Sequence, residues 1–439
     1  MTIIDTIGIQ IPQILLPKQG IDLQKWAVIA CDQFTSQPEY WQQVEKFIGD
    51  SPSTYNLILP EVFLGKPEEE KRIALTQQTM QKYLDENIFY VHQGAILVER
   101  TTDKATRHGV MLALDLERYD YNKGSQSLIR ATEGTILERL PPRIRIRKGA
   151  KLELPHILVL IDDPENKVFE PLISNKPNLN LLYDFELMFG SGHLKGFSLD
   201  HSALLNGMIQ TLEHLAEPAA FQNKYGVSGE KSVLLFAVGD GNHSLATAKA
   251  IWEQIKSEVG MNHPARYALV EIENVHDSGL QFEPIHRILF DVKEDYKTAM
   301  QQFFGAGFSF DRCSNEQEMI NYVTRQAPDR HIVGVVSPTE IGIASIQPTT
   351  SNLPVGTLQA FLDGWLKHGK ASQIDYVHGE SVVMELGRKP NNLGFLLPAM
   401  NKSDLFKTVI LDGVLPRKTF SMGEAKEKRF YMECRRIDS

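Results

Sequence analysis

Residues 233–252 read VLLFAVGDGNHSLATAKAIW, and the change of pattern inside this stretch decides the fold. Val233 to Val238 is a short continuous apolar run of the kind that fills a buried strand. Beyond it the period changes. Leu245, Ala248, Trp252, Ile255 and Val259 recur at helical spacing, so a strand passes into a helix with one buried face. Between the two lies Gly239-Asp240-Gly241-Asn242-His243-Ser244. Glycines let the backbone approach a ligand closely, and the first turn of a helix presents N–H groups that have no intrahelical acceptor. Such an end attracts anions, with the helix dipole adding about 0.3–1 kcal/mol at exposed sites. Gly239, Gly241, Asn242 and Ser244 are therefore read as a phosphate cradle. Asp240 suits a Mg²⁺ ion or a substrate hydroxyl, and His243 suits phosphate contact or proton shuttling near neutral pH. The competing reading is a tight turn in which Asn242 or Ser244 caps the helix and His243 packs on a neighbouring loop. The turn is neither a Walker A loop nor a Rossmann fingerprint, because the Lys-Ser/Thr ending and the GxGxxG spacing are both missing.

Upstream, Pro141 and Pro142 argue against a helix, and Arg143, Arg145 and Arg147 alternate with Ile144 and Ile146. An extended chain there would project three guanidinium groups from one face, and such a face wants an anion. Glu133, between Arg130 and the arginines, is the candidate carboxylate for deprotonating a substrate hydroxyl; a salt bridge to Arg130 or Arg139 is the alternative. Downstream, His286 and Arg287 after Pro284 are expected to line the same cleft, with Asp277 holding substrate or metal, or else to form a structural turn. Asp162-Asp163-Pro164 reads as a turn. Arg417-Lys418 and Lys426 to Arg429 read as solvated surface.

The wider pattern mixes strands and helices throughout. Helices are expected at 37–47, 68–86, 294–304, 316–325 and 358–365, and strands at 89–99, 109–116, 157–161, 183–188, 193–199, 267–273, 332–336 and 341–346. This is an α/β chain with a mixed (α+β) sheet. A length of 439 residues exceeds what one core usually serves. The expected division is an N-terminal α/β region (1–120), a core carrying the glycine turn (121–290) and a C-terminal α/β domain (291–439).

The net charge of −9 argues against non-specific nucleic-acid binding. Cys31, Cys313 and Cys434 lie far apart, without CxxC or Cys/His spacing, so neither a disulfide framework nor a zinc site is indicated. No stretch reaches the length of a membrane span and Met1 to Lys18 lacks the makings of an export signal, so a cytoplasmic protein is expected.

Trp26 to Phe34, Arg130 to Arg147, Leu154 to Pro164, Gly239 to Ala246, Gly279 to Arg287 and Pro416 to Lys418 together resemble the family called domain of unknown function 1015, over nearly the full chain. The commoner form of that family has Asp-Gly-His-His-Arg where Asp240 to Ser244 stands here, so the arginine is replaced by Ser244. A more local similarity links the turn to the ParB/sulfiredoxin-like group, which includes free-serine kinases and nucleotide-binding segregation proteins. That likeness implies a nucleotide-site core in which the turn lies on nucleotide phosphates and an upstream glutamate serves as base.

These readings converge on nucleotide-dependent phosphoryl transfer from ATP or ADP to a small hydroxylated metabolite such as serine, with Mg²⁺. Glu133 would be the base, Asp240 the metal ligand, and Arg143, Arg145, Arg147 or Arg287 would replace the missing arginine. The alternatives are a nucleotide-binding regulator without turnover and a hydrolase of a phosphorylated or acidic small molecule.

Overall fold

Along Thr106–Asp115 and Tyr267–Asn274, neighbouring side chains go to opposite faces of one sheet, and both faces are apolar. Val110, Leu112, Leu114, Val270 and Ile272 join one core; Met111 and Leu269 join another. The two-residue period of a strand makes this division, and a sheet covered on both sides follows. The structure, a computed structural model, describes residues 2–200, 203–347, 349 and 351–438.

The strands of this sheet run in the order 181–186, 193–199, 95–101, 106–115, 267–274, 158–161, 236–240, 129–131, 119–120. The first five are joined by antiparallel pairings. Leu158–Ile161 is parallel to Tyr267–Asn274 but antiparallel to Phe236–Asp240, which is in turn parallel to Ile129–Ala131. The sheet is mixed, as the alternation of strands and helices implies. Its first core includes Leu245, Ala248 and Trp252 from the helix Asn242–Val259 and Leu205, Met208 and Leu212 from the helix Ala203–Leu215. The second takes Trp26, Trp41 and Val44 from the N-terminal segments and Phe430, Met432 and Cys434 from the chain's end.

The chain divides into two compact units. One comprises the residues up to Leu280 together with those from Gly423 on, and the other is Gln281–Met422. The expected limit at 120 does not separate units, since strands on both sides of it belong to one sheet. The expected limit at 290 falls at the end of the strand Phe282–Phe290, whereas the second unit begins before that strand, at Gln281, and residues from Gly423 return to the first unit. The return has a physical basis: Arg429, Tyr431 and Cys434 are wholly buried side chains that need the first unit's core and carboxylates.

The second unit is built on antiparallel strands in the order 308–312, 341–346, 331–336, 393–396, 282–290, 373–378, with five helices of its own among the described residues. No helix among the described residues is long and apolar enough to cross a membrane.

Candidate functional site

The glycine turn sits where a strand end meets a helix start. Asp240 closes the strand Phe236–Asp240, Gly241 follows in the left-handed conformation (φ 76°), and the helix begins at Asn242. A Cβ on Gly241 would lie 3.0 Å from the Cα of Ile157 and 3.1 Å from its Cγ1, so both backbone conformation and space require glycine. No side chain caps the helix that follows. The first-turn amides of a helix have no acceptor within the helix itself. Gly241 is buried, and Gly239, Asp240, Asn242, His243 and Ser244 are all half-buried, lining the turn without standing out into solvent. The Asn242 amide donates to the Val238 carbonyl at 3.3 Å, while its Oδ1 is buried with no hydrogen-bond partner.

The segment holding Glu133 is fastened to this turn at both ends. Thr132 Oγ1 donates to the Val238 carbonyl at 2.6 Å, and the Ile136 amide donates to His243 Nε2 at 3.4 Å. An accepting Nε2 places the ring proton of His243 on Nδ1. Glu133 therefore lies on a short loop beside the turn.

Antiparallel register supplies a residue that sequence reasoning missed. Leu158 pairs with Asp240, so His156, two residues earlier, arrives at the turn. The chain's end brings the others. Phe430–Tyr431 pairs with Val28–Ile29, Lys428 Nζ meets Asp240 Oδ2 at 2.9 Å, and Tyr431 Oη meets His156 Nδ1 at 2.8 Å. Arg429 locks this arrangement. Its Nε donates to the Pro155 carbonyl at 3.0 Å, and its other nitrogens pair with the buried Glu271 and Glu433.

Lys428 and Arg429 are thus not solvated surface, as a run of basic residues near a C-terminus suggests. One binds the turn and the other is a buried clamp. The backbone amide of Cys31 donates to Tyr431 Oη at 3.2 Å, which draws Asp32 towards His156; their nearest atoms, Oδ2 and Nε2, are 4.0 Å apart. Burial pushes the Cys31 thiol well up, which makes it a poor nucleophile.

The electrostatics tie these residues into one cluster. Burial works to raise the Asp240 carboxyl, but the charge and hydrogen bond of Lys428, the His156 ring and the Gly241 amide (2.9 Å to Oδ1) hold it below the usual carboxylate range. For Glu61 the balance goes the other way. Burial raises it, Arg143 lowers it, Asp32 raises it again and His156 lowers it, and the result lies above the usual range.

The three arginines do not form a strand. Leu140–Arg147 is a helix, because Pro141 and Pro142 fall in its first turn, where no N–H is needed. At about 100° per residue, Arg143 and Arg147 point to one side and Arg145 to the other. Each has a carboxylate partner: Arg143 with Glu61, Arg145 with Glu69, and Arg147 with Glu153 at 2.6 Å. The helix packs against the one that starts at Asn242. Of the three, Arg143 reaches the cluster, through Glu61.

His286 and Arg287 lie in the second unit on the strand Phe282–Phe290, not on a turn, and both are buried. His286 Nδ1 accepts from the Leu397 amide at 3.1 Å, and burial, with Arg287 and His378 nearby, pushes the ring down to about 4. Arg287 donates to the carbonyls of Arg417 and Lys418, each at 3.0 Å, and to Gln359 at 3.2 Å. It holds the 416–418 segment. Asp277 accepts from the amides of His108 (3.0 Å) and Gly279 (2.7 Å), a turn-forming role. Asp162, expected in a turn, receives His276 Nε2 at 2.6 Å and Lys224 at 2.9 Å.

A profile of the family described as "Protein of unknown function (DUF1015)" matches residues 15–365, which includes Asp32, Glu61, Glu133, Arg143, His156 and the whole turn. The chain belongs to the DUF1015 family. No curated protein matches this DUF1015 chain. Among solved structures it is similar to a conserved hypothetical protein from Pyrococcus furiosus (10% identity, TM-score 0.36, covering 75% of this chain and 95% of that one). It is similar also to a free serine kinase in complex with AMP (12%, 0.37, 75% and 91%). A third is SbnI with a C-terminal truncation from Staphylococcus aureus (9%, 0.36, 75% and 87%).

Proposed function

We propose that this DUF1015 chain binds a nucleotide, ATP or ADP, with its phosphates at the start of the helix Asn242–Val259, and transfers a phosphoryl group to a small hydroxylated metabolite of serine type. The observation that carries the reading is the turn itself: a helix start with no side-chain cap, fixed by a glycine that nothing larger can replace, with Lys428 beside it. Backbone amides at such an end suit phosphate oxygens. Lys428 supplies the positive charge that Ser244 does not.

Glu133, on the loop tied to Val238 and His243, is the group proposed to take the proton from the acceptor hydroxyl. His243, fixed by the Ile136 amide, orients towards the turn. Mg²⁺ suits the site in a limited way. No group of three or more metal-ligating side chains exists among the described residues, so Asp240 would be a single carboxylate ligand and phosphate oxygens would complete the shell. The ion's contribution there is to neutralise phosphate charge.

The Asp240–Lys428 pair favours a second reading, a nucleotide-binding regulator without turnover, because the carboxylate already has its counter-charge. Turnover separates the two. Purified protein incubated with Mg²⁺, ADP or ATP and L-serine should release phosphorylated serine, and Asp240→Ala should abolish this while the protein stays folded. Binding of nucleotide with no transfer to any member of a metabolite pool would establish the regulator; no binding of either nucleotide would end both readings.

A further inference from the structure

Around His156 three carboxylates, Asp32, Glu61 and Asp240, meet only two lysine or arginine partners, Lys428 and Arg143, and the remaining carboxylate has a chemical complement. Asp240 is paired with Lys428 at 2.9 Å, and Glu61 is paired with Arg143. Asp32 has no lysine or arginine partner. Its Oδ1 accepts only from the uncharged Gln33 amide, at 2.9 Å. Its Oδ2 faces His156 Nε2 across 4.0 Å, a distance beyond hydrogen-bond reach, although Tyr431 and the His156 ring fix the other side of that gap. The Asp32 side chain is 29% exposed and that of His156 11%, so the two form a partly covered wall, open on the Asp32 side. The excess negative charge is felt within the cluster: Asp32 is one of the groups that raise the carboxyl of Glu61.

We propose that Asp32, with Glu61 beside it, is the subsite for a small primary ammonium group, and that it makes an amino alcohol or hydroxy amino acid the acceptor. The inference deepens the proposed function and rests on it for the identity of the second ligand. An –NH₃⁺ group offers three donors on a compact point charge. One donor reaches Asp32 Oδ2, whose lone pairs have no protein donor. The oxygen of a hydroxyl on the neighbouring carbon of the ligand meets His156 Nε2, which has no partner within hydrogen-bonding distance among the described residues. The two ends of the 4.0 Å gap are thus bridged by the ligand and not by each other. The same charge pattern rejects an anion. A phosphate would meet Asp32 and Glu61, which places nucleotide phosphates at the turn and the amine at the Asp32 end.

The test needs no variant to begin. With ADP present, the affinities of L-serine, ethanolamine and L-glycerate are measured by calorimetry on the full chain. Serine and glycerate share the hydroxyl and the carboxylate and differ only where one has an amine. The expected result is binding of serine and ethanolamine at least tenfold tighter than glycerate. Asp32→Asn should then remove at least tenfold of the serine affinity, with ADP affinity unchanged, and Glu61→Gln should have a smaller effect in the same direction. Equal affinity for serine and glycerate, or no amine binding while ADP binds, overturns the subsite and leaves the nucleotide reading standing. A loss in Asp32→Asn of Mg²⁺ dependence instead of amine affinity also overturns it, since Asp32 would then serve a metal. Failure of ADP itself to bind counts against the proposed function and against the subsite that rests on it.

Discussion

Replacing Gly241 by alanine isolates the feature on which the site depends. A residue with a Cβ held at φ 76° costs about 1–2 kcal/mol from the left-handed conformation alone. The new methyl would also sit 3.0 and 3.1 Å from Ile157 Cα and Cγ1, and forcing a methyl into packed surroundings costs about 1–3 kcal/mol. The sum is about 2–5 kcal/mol, since Ile157 precedes a central strand and cannot simply move aside. Gly226 provides the control. It ends the helix Pro218–Tyr225 at φ 63° with nothing within 4 Å of its Cβ position, so Gly226→Ala carries only the conformational cost of about 1–2 kcal/mol. Urea unfolding followed by tryptophan fluorescence measures both. Trp365→Phe is used as background so that Trp26, Trp41 and Trp252 report the first unit. The alanine at 241 should be the more destabilising by about 1–3 kcal/mol, with an unchanged denaturant slope, and should weaken ADP binding at least tenfold. Equal destabilisation at the two positions would refute the close approach of the turn to Ile157.

Three further outcomes follow from side-chain partners. A double-mutant cycle on Asp240→Asn and Lys428→Met should give a coupling of about 1–3 kcal/mol, since the pair is hydrogen-bonded and mostly buried; additive single effects would show that the pair does not form. Among the helix arginines, Arg145→Ala should leave stability essentially unchanged, because Arg145 is half exposed, whereas Arg147→Ala should cost about 1–3 kcal/mol by unpairing one side of the buried Glu153. Comparable losses of ADP affinity from all three arginines would instead restore the strand with a common face.

The third outcome concerns pH. Burial raises the Glu273 carboxyl to about 8, against the pull of Arg107 and with Glu271 and Asp277 adding to the rise. Between the ordinary carboxylate value and about 8 the folded chain holds a proton that the unfolded chain has lost, so this residue's contribution to stability falls as pH rises through that window. Glu273→Gln should therefore gain stability relative to the natural chain between pH 5 and pH 8, measured by thermal unfolding; a constant difference would contradict it.

How much of this was legible depended on whether the relevant contact was local. The strand, turn and helix from 233 to 259 can be read from a change in apolar period, because a helix buries a face using its own neighbours. The family strings Trp26 to Phe34 and Leu154 to Pro164 do contain Asp32 and His156, but nothing in either string marks those residues as neighbours. Their meeting depends on the antiparallel register of Leu158 with Asp240 and on the return of Phe430–Tyr431 to Val28–Ile29. Such pairings join residues 82 and about 400 positions apart, and local pattern does not encode them. Lys428 was hidden for the same reason, since a basic residue among Lys426 and Arg429 reads as surface until its carboxylate is located. The arginine segment failed differently. The alternation of Arg and Ile fits a strand, and Pro141-Pro142 opposes a helix interior, but the same prolines are well suited to a first turn. His286 and Arg287, expected beside the turn from their place after Pro284, satisfy carbonyls and an amide of their own fold inside the second unit.

The central claim is that the helix start at Asn242 receives nucleotide phosphates. Calorimetric titration of the full chain with ADP, with and without Mg²⁺, tests it most directly when repeated on Lys428→Met and Gly241→Ala. The account predicts saturable one-to-one binding to the natural chain, strengthened by Mg²⁺ and weakened at least tenfold in both variants. Absence of binding, or binding that neither substitution alters, would contradict it.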